Sequence, residues 1–476
     1  MSSSSQASQR IFSLLDENSF VEIGAQVKAR STDFNLKQTE TPSDGVVTGY
    51  GVIGGKLVYV YAQDASVLGG SVGEMHAKKI AGLYDMALKM GAPVIGLIDS
   101  AGLRLQEATD ALNAFGEIYR RQVSASGVVP QITAILGSCG GGLALFPTMT
   151  DFTFMEEKSG KLFVNSPNVL EGNSKEKCDT SAAAWQGSEV GNVDVIGDEQ
   201  TLYAQIRELV SILPSNNEDT ENFDECADDL NRACENLEGS VNDPALMFRQ
   251  ISDNGIFFET KRDFAKEMVT GFIKLNGATV GVIGNRSELY DEKGEVAEKF
   301  DNVLTAHACD KAADLVSFCD AFEIPVLSLT NVNGFGATKC DEKHVAKAAA
   351  KLVAALAAAT VPKVNVVTGK AFGSAYVIMN SKAVGADMTF AWPDAEIGTM
   401  NAEHAAKIIA DGKDSSTVAD TAAAYEKLQN NVESAAARGY VDTIINAADT
   451  RKYVIGAFEM LYSKREERPV RKHTTV

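Results

Sequence analysis

Amphipathic stretches of helical period alternate along the chain with short, almost wholly apolar runs, which predicts an α/β protein with buried parallel strands. Over residues 76–89 the apolar side chains Ile80, Leu83, Tyr84, Ala87 and Leu88 recur at helical spacing, and 93–98 and 132–136 are apolar runs of strand length. The same order returns later, with a helix over 312–322 and strands over 325–329 and 364–367. Residues 348–359 form an alanine-rich helix stopped before Pro362, whose small side chains permit close approach of a neighbour.

The two halves repeat in one register. Gly91-Ala-Pro-Val-Ile-Gly-Leu-Ile-Asp-Ser matches Glu323-Ile-Pro-Val-Leu-Ser-Leu-Thr-Asn-Val, and Val129-Pro-Gln-Ile-Thr-Ala-Ile-Leu-Gly matches Val361-Pro-Lys-Val-Asn-Val-Val-Thr-Gly. Pro93 and Pro325 lie 232 positions apart, as do Pro130 and Pro362, Gly102 and Gly334, Gly137 and Gly369, and Gly141 and Gly373. A duplication predicts two tandem domains of one architecture. Residues 211–243 carry Pro214-Ser-Asn-Asn and many acids, so they read as a linker with a short polar helix. The expected boundary lies near 240, giving domains 1–240 and 241–476. Residues 171–192 have few strong apolar anchors and read as an insertion or loop.

Composition narrows the class. With 476 residues, 45% of them hydrophobic and only 11 prolines, the chain is neither disordered nor collagen-like. A net charge of −20 excludes long-range attraction to nucleic acid or an anionic membrane, so an anionic ligand must be met by local basic clusters. The opening Met-Ser-Ser-Ser-Ser-Gln is no secretory leader, and Lys, Asp or Glu interrupts every apolar segment before membrane-spanning length, so the expected location is cytoplasmic, without membrane insertion. Seven scattered cysteines without a Cys-x-x-Cys pair predict reduced thiols rather than a disulfide framework or zinc ribbon. None of the five histidines stands at metal-ligand spacing, so no metal is expected, and His76 and His307 read as structural residues on helices. No Gly-x-Ser-x-Gly nucleophile elbow with a matching triad is present.

Two glycine-rich turns carry the candidate chemistry: Gly137-Ser-Cys-Gly-Gly-Gly-Leu-Ala and Gly369-Lys-Ala-Phe-Gly-Ser-Ala-Tyr. Each follows a predicted buried strand and precedes an apolar helical segment, so backbone N–H groups at the helix start face whatever occupies the turn. That geometry suits a developing oxyanion. A third turn, Gly69-Gly-Ser-Val-Gly, offers a second donor to the same pocket. Any one of these glycines equally serves a tight turn; it is their matched placement in a duplicated unit that favours a site. No Gly-Lys-Ser or Gly-Lys-Thr ending marks a phosphate-binding loop.

With these motifs the sequence resembles the carboxyltransferase subunits of biotin-dependent acyl-CoA carboxylases and decarboxylases, the group of propionyl-CoA carboxylase beta chains and methylmalonyl-CoA decarboxylase alpha subunits. The resemblance runs from Arg10-Ile-Phe-Ser-Leu-Leu-Asp to Arg468-Pro-Val-Arg-Lys-His. Its most specific pieces are Gly45-Val-Val-Thr-Gly-Tyr-Gly, Leu68-Gly-Gly-Ser-Val-Gly-Glu-Met-His, Gly116-Glu-Ile-Tyr-Arg-Arg, Met149-Thr-Asp-Phe and Ala391-Trp-Pro-Asp-Ala-Glu-Ile-Gly.

The resemblance implies two crotonase-like domains facing each other, usually from different subunits of a homo-hexamer, that move a carboxyl group between carboxybiotin and the α-carbon of a short acyl-CoA. It implies that the Gly141 and Gly142 turn holds the thioester oxygen of the coenzyme A substrate, and that Ser374 and Ala375 hold the ureido oxygen of biotin. Gly69, Gly70, Ser71, Gly102, Arg104, Gly334, Phe335, Tyr376 and Val377 are the expected substrate-binding positions. Arg104 and the pair Arg120 and Arg121 are candidates for CoA phosphates or for ordinary salt bridges. Lys89 sits beside a methionine as in biotinylation sites but falls in the last turn of a helix, so biotin is expected on a partner carrier protein. The remaining implied partner is a biotin carboxylase or a membrane-bound, sodium-pumping decarboxylase subunit.

Three departures mark this chain. Asn331-Val-Asn-Gly-Phe stands where the family commonly has Asp-x-Pro-Gly-Phe, Phe-Gly-Ser-Ala-Tyr replaces Gly-Gly-Ala-Tyr, and Val377 replaces an Asp thought to line the acyl pocket. The competing readings are a noncatalytic assembly subunit and a crotonase-type enoyl-CoA hydratase or isomerase, the latter disfavoured by the absence of an evident Glu pair.

Overall fold

In a computed structural model, residues 5–30, 40–219, 222–291 and 293–469 are described. The first four residues and the closing Arg471-Lys-His lie outside them. The chain forms two compact units, Met1–Asn222 and Phe223–Val476.

The first unit is built on an eight-stranded sheet of β1 (Val21–Ile23), β2 (Val46–Ile53), β3 (Lys56–Gln63), β4 (Val94–Ser100), β5 (Gln131–Gly140), β6 (Phe152–Glu156), β7 (Lys161–Phe163) and β8 (Val195–Gly197). Its order is β1-β2-β3-β4-β5-β6-β8, with β7 paired to the far end of β5. β1 to β3 are antiparallel, and from β3 onward the pairs are parallel, fed by the crossover helices Glu74–Met90 and Ala108–Ala125. Ile80, Leu83, Tyr84 and Ala87 are buried against this sheet, which is the helical stripe the spacing predicts, and Lys89 does fall in the last turn.

The second unit repeats the plan with β9 (Phe257–Thr260), β10 (Met268–Leu275), β11 (Ala278–Asn285), the small outlying pair β12 (Glu288–Tyr290) and β13 (Val296–Lys299), then β14 (Val326–Val332), β15 (Lys363–Phe372), β16 (Met388–Ala391), β17 (Glu396–Gly398) and β18 (Thr443–Ile444). Its order β18-β16-β15-β14-β11-β10-β9, with β17 paired to β15, mirrors the first sheet. β4 and β14, and β5 and β15, match at both ends in the 232-residue register. Even the irregularity in pairing recurs, between Ile98 and Ser100 in one unit and Thr330 and Val332 in the other. Its cause is local: a Cβ on Gly137 would lie 2.1 Å from Asp99 Oδ1, and one on Gly369 2.7 Å from Asn331 Oδ1, so a glycine makes room for the side chain that precedes each turn.

The units divide between Asn222 and Phe223, ahead of the expected boundary near 240. The acidic segment that reads as a linker is tied to the second unit. Asp224 N donates to Gly277 O at 3.0 Å, Cys234 N to Ala448 O at 2.8 Å, and Arg232 Nη1 to Gln250 O at 2.9 Å. The buried Arg451 completes the tie, pairing with Asp253 at 2.7 Å and donating to Asp229 O. The stretch expected as an insertion holds only short turns over Asn173–Glu176, Ala183–Trp185 and Gln186–Val190. All seven cysteines are free thiols, and among the described residues no helix is long and apolar enough to cross a membrane.

Candidate functional site

In the first unit β5 ends at Gly140, Gly141 turns the chain at φ +63°, and a helical turn Gly141–Ala144 leads into Leu145–Thr148. Leu143, Ala144 and Phe146 are buried and anchor this short helix, which leaves Gly141 and Gly142 at its accessible start. The second unit copies the arrangement: β15 ends at Phe372, Gly373 also has φ +63°, and the helix Gly373–Ile378 is anchored by buried Ala375 and Ile378 while Ser374 is exposed. The first N–H groups of a helix have no acceptor within it, so both corners present amide donors. In register Gly142 matches Ser374 and Gly141 matches Gly373, so the expected pairs Gly141–Gly142 and Ser374–Ala375 are offset by one position.

Two further turns close on the first corner. Leu68, Gly69 and Gly70 are all left-handed, at φ 52°, 66° and 63°, and a Cβ on Gly70 would meet Asp99 O at 2.5 Å, so only glycine fits there. This turn is zipped to residues 101–104: Ala101 N donates to Gly69 O at 2.8 Å, Val72 N to Gly102 O at 2.8 Å and Arg104 N to Val72 O at 3.0 Å. A Cβ on Gly102 would sit 3.5 Å from Gly140 O, so the turns at 69, 102 and 141 are neighbours. The Gly70 and Ser71 amides are spent inside their own turn, on Val67 O and Leu68 O, and the Gly102 amide on Ser100 Oγ, which leaves Gly69 as this turn's candidate donor.

Arg104 is not a phosphate ligand at the surface. Its side chain is fully buried and paired with Asp44 at 2.6 Å and Glu107 at 2.9 Å, and it donates to Ser71 O at 2.7 Å. Glu107 in turn accepts from Glu74 N at 2.6 Å, so Arg104 locks the 68–74 turn to the start of the following helix. Arg121 pairs with Asp85 on the surface, the ordinary alternative for that residue.

His76 is completely buried beside this cluster, with Nδ1 3.0 Å from Asp44 O and its backbone N–H donating to Asp44 Oδ2 at 2.8 Å. Burial, reinforced by the Arg104 charge, pushes its pKa down to about 3. Its folded-state value lies below the ordinary 6.5, so its contribution is full above pH 6.5 and erodes as pH falls toward 3. Denaturation followed across pH is therefore expected to show a loss approaching about 1.4 kcal/mol per pH unit from this residue below its ordinary pKa. His76→Asn should flatten that slope.

In the second unit a 410 Å³ cavity opens at the Gly373 corner. Gly373, Ser374, Tyr376 and Val377 line it together with Thr399, Tyr425, Arg438 and Tyr440. Burial pushes the Tyr376 phenol up to about 12, so it is a neutral donor. Thr399 O lies 3.2 Å from where a Cβ on Gly373 would stand, which explains the glycine. Gly334, at φ 153°, and Phe335 do not line this cavity: Gly334 O accepts from Leu304 N at 2.9 Å, repeating the zip between Val72 and Gly102. Tyr425, Gln429, Arg438 and Tyr440 escaped the sequence reading. The repeated anchors in the sequence end at Gly141 and Gly373, short of these four residues.

A mixed sheet whose parallel strands run into glycine corners at helix starts, made twice in one chain, is the tandem crotonase-like arrangement. The carboxyl transferase domain family matches residues 3–476, and the chain belongs to that family. The propionyl-CoA carboxylase beta chain of Roseobacter denitrificans is 42% identical over 99% of this chain and 93% of its own length. The methylmalonyl-CoA decarboxylase subunit alpha of Propionigenium modestum is 39% identical, covering 99% and 92%. A crystal structure of transcarboxylase 12S, a hexamer assembly with methylmalonyl-coenzyme A and methylmalonic acid bound, superimposes with a TM-score of 0.91 at 36% identity, covering 98% of this chain and 92% of that one. The protein is a carboxyltransferase of the propionyl-CoA carboxylase and methylmalonyl-CoA decarboxylase group.

Proposed function

We propose that the chain moves a carboxyl group between biotin borne by a separate carrier protein and the α-carbon of a short acyl-CoA, with the first domain on the acyl-CoA side and the second on the biotin side. The observation that carries this reading is the matched pair of left-handed glycines, Gly141 and Gly373, each opening a helix after a buried parallel strand. Gly141 and Gly142 then hold the thioester oxygen of the substrate, and their N–H groups stabilise it more strongly as it gains enolate charge than in the neutral thioester. Gly69 supports that pocket, while Gly70, Ser71 and Gly102 shape it.

On the other side, the cavity at Ser374 supports the assignment to biotin: it combines an amide corner suited to a ureido oxygen with the apolar Val377 and the aromatic side chains of Tyr376 and Tyr425. Bound there, biotin serves as carrier of the transferred carboxyl group. This chain's residues orient it, and the phenol of Tyr376 remains protonated at neutral pH. Val377 gives this cavity an apolar wall where a carboxylate is common in the family. By analogy with the transcarboxylase 12S hexamer, the working form is a homo-hexamer. Its partners are a carrier protein and either a biotin carboxylase or a membrane-bound decarboxylase subunit, and it acts in the cytoplasm.

The test is to incubate the purified protein with methylmalonyl-CoA or malonyl-CoA and to follow loss of the acyl carboxylate with and without free biotin or a biotinyl carrier. Biotin-dependent loss is expected. Loss that ignores biotin, or hydration of an enoyl-CoA in its place, would contradict the reading.

A further inference from the structure

Tyr119 lies in the Gly116-Glu-Ile-Tyr-Arg-Arg stretch, and its hydroxyl donates to Gly142 O at 2.6 Å. Its ring packs against Phe115, at a centroid distance of 6.1 Å, and stands edge-on to Phe146 at 5.8 Å, while those two buried rings pack against each other at 5.6 Å. An aromatic cluster in the core therefore aims the hydroxyl at the glycine corner. Partial burial raises the pKa of the phenol, which keeps it a donor at neutral pH.

Gly142 needs such a hold. It is exposed, has no side chain, and would sample many backbone conformations if left alone. Its carbonyl accepts both from Tyr119 and from Leu145 N, so the residue is fixed from the neighbouring helix as well as from its own. A Cβ at position 142 would stand 3.0 Å from the Tyr119 hydroxyl, so that oxygen sits tight against bare glycine. Among the described residues the second corner has no equivalent strap. In the 232-residue register Tyr119 corresponds to Lys351, whose Nζ turns to Asp314 at 2.7 Å, and Gly142 corresponds to Ser374, which carries a side chain.

We infer that Tyr119 is a positioning residue: by holding the Gly142 carbonyl it fixes the peptide plane between Gly142 and Leu143, which restrains this glycine at its ψ side and so steadies the N–H across its Cα before charge develops on the substrate oxygen. This rests on the reading of the first domain as the acyl-CoA side. An amide donor contributes to catalysis to the extent that it need not reorganise during the reaction, and an unpinned glycine would have to. The effect belongs to the charged transition state and not to the neutral substrate.

Tyr119→Phe in the full chain keeps the ring packing and deletes only the hydroxyl. In biotin-dependent decarboxylation of methylmalonyl-CoA, the expected result is a kcat lowered by about tenfold with KM for the acyl-CoA and the melting temperature unchanged. An unchanged kcat would overturn the inference. So would a fall in kcat accompanied by a matching rise in KM or a lowered melting temperature, since either marks a merely structural contact. Wild-type protein without biotin-dependent turnover overturns the functional reading itself, whereas an active wild type with an unaffected Tyr119→Phe overturns only the strap.

Discussion

Gly142→Pro is expected to lower the rate of carboxyl transfer by about 10²–10³-fold in a protein that still folds. Proline deletes the N–H of Gly142, and proline is tolerated in the first turn of a helix because that N–H has no intrahelical partner to lose. Gly142 is not among the left-handed residues, so a proline ring does not conflict with the sign of its φ. The Tyr119 hydroxyl must give way by a few tenths of an ångström, since it would lie 3.0 Å from the new Cβ. Gly141→Pro abolishes turnover too but is less informative: φ there is +63°, which proline cannot adopt, so the corner is rebuilt as well as stripped of a donor. Steady-state kinetics together with a melting curve make the distinction. Undiminished turnover in folded Gly142→Pro would remove this amide from the mechanism.

The second large effect is on stability. Arg104→Met leaves Asp44 and Glu107 buried without their shared cation, and breaking a buried pair in this way costs about 3–5 kcal/mol. Urea denaturation should show this loss, accompanied by weaker turnover because the zip between residues 72 and 102–104 loosens next to the Gly141 corner. A variant of native stability with only a raised KM for acyl-CoA would instead describe a surface phosphate ligand.

The repeat makes much of the architecture legible in the sequence alone. A constant 232-residue separation of prolines and glycines located both copies of the central strands and both glycine corners, because those residues fix backbone geometry that side-chain drift leaves alone. Polar partners were less visible. Arg104 reads as a basic residue in a loop, and nothing in its neighbourhood announces Asp44, 60 positions earlier, which folds back to enclose it. The segment after 222 reads as a linker because acids suggest solvent, yet Asp224 and Asp228 are ion-paired with Lys274 and Arg451. Tyr425 and Arg438, which also line the second-domain cavity, lie beyond Gly373, where the matched prolines and glycines of the repeat end. Tyr119 lay inside a motif, but its role depends on a hydroxyl reaching Gly142, a contact that spacing along the chain does not encode.

The most direct test of the central claim is a structure of the assembled protein with an acyl-CoA and biotin bound. The account predicts the thioester oxygen within hydrogen-bond reach, about 2.7–3.2 Å, of the Gly141 and Gly142 amides, and the ureido oxygen within the same reach of Ser374 and Ala375. Either oxygen held elsewhere, with its glycine corner facing only protein or solvent, would contradict it.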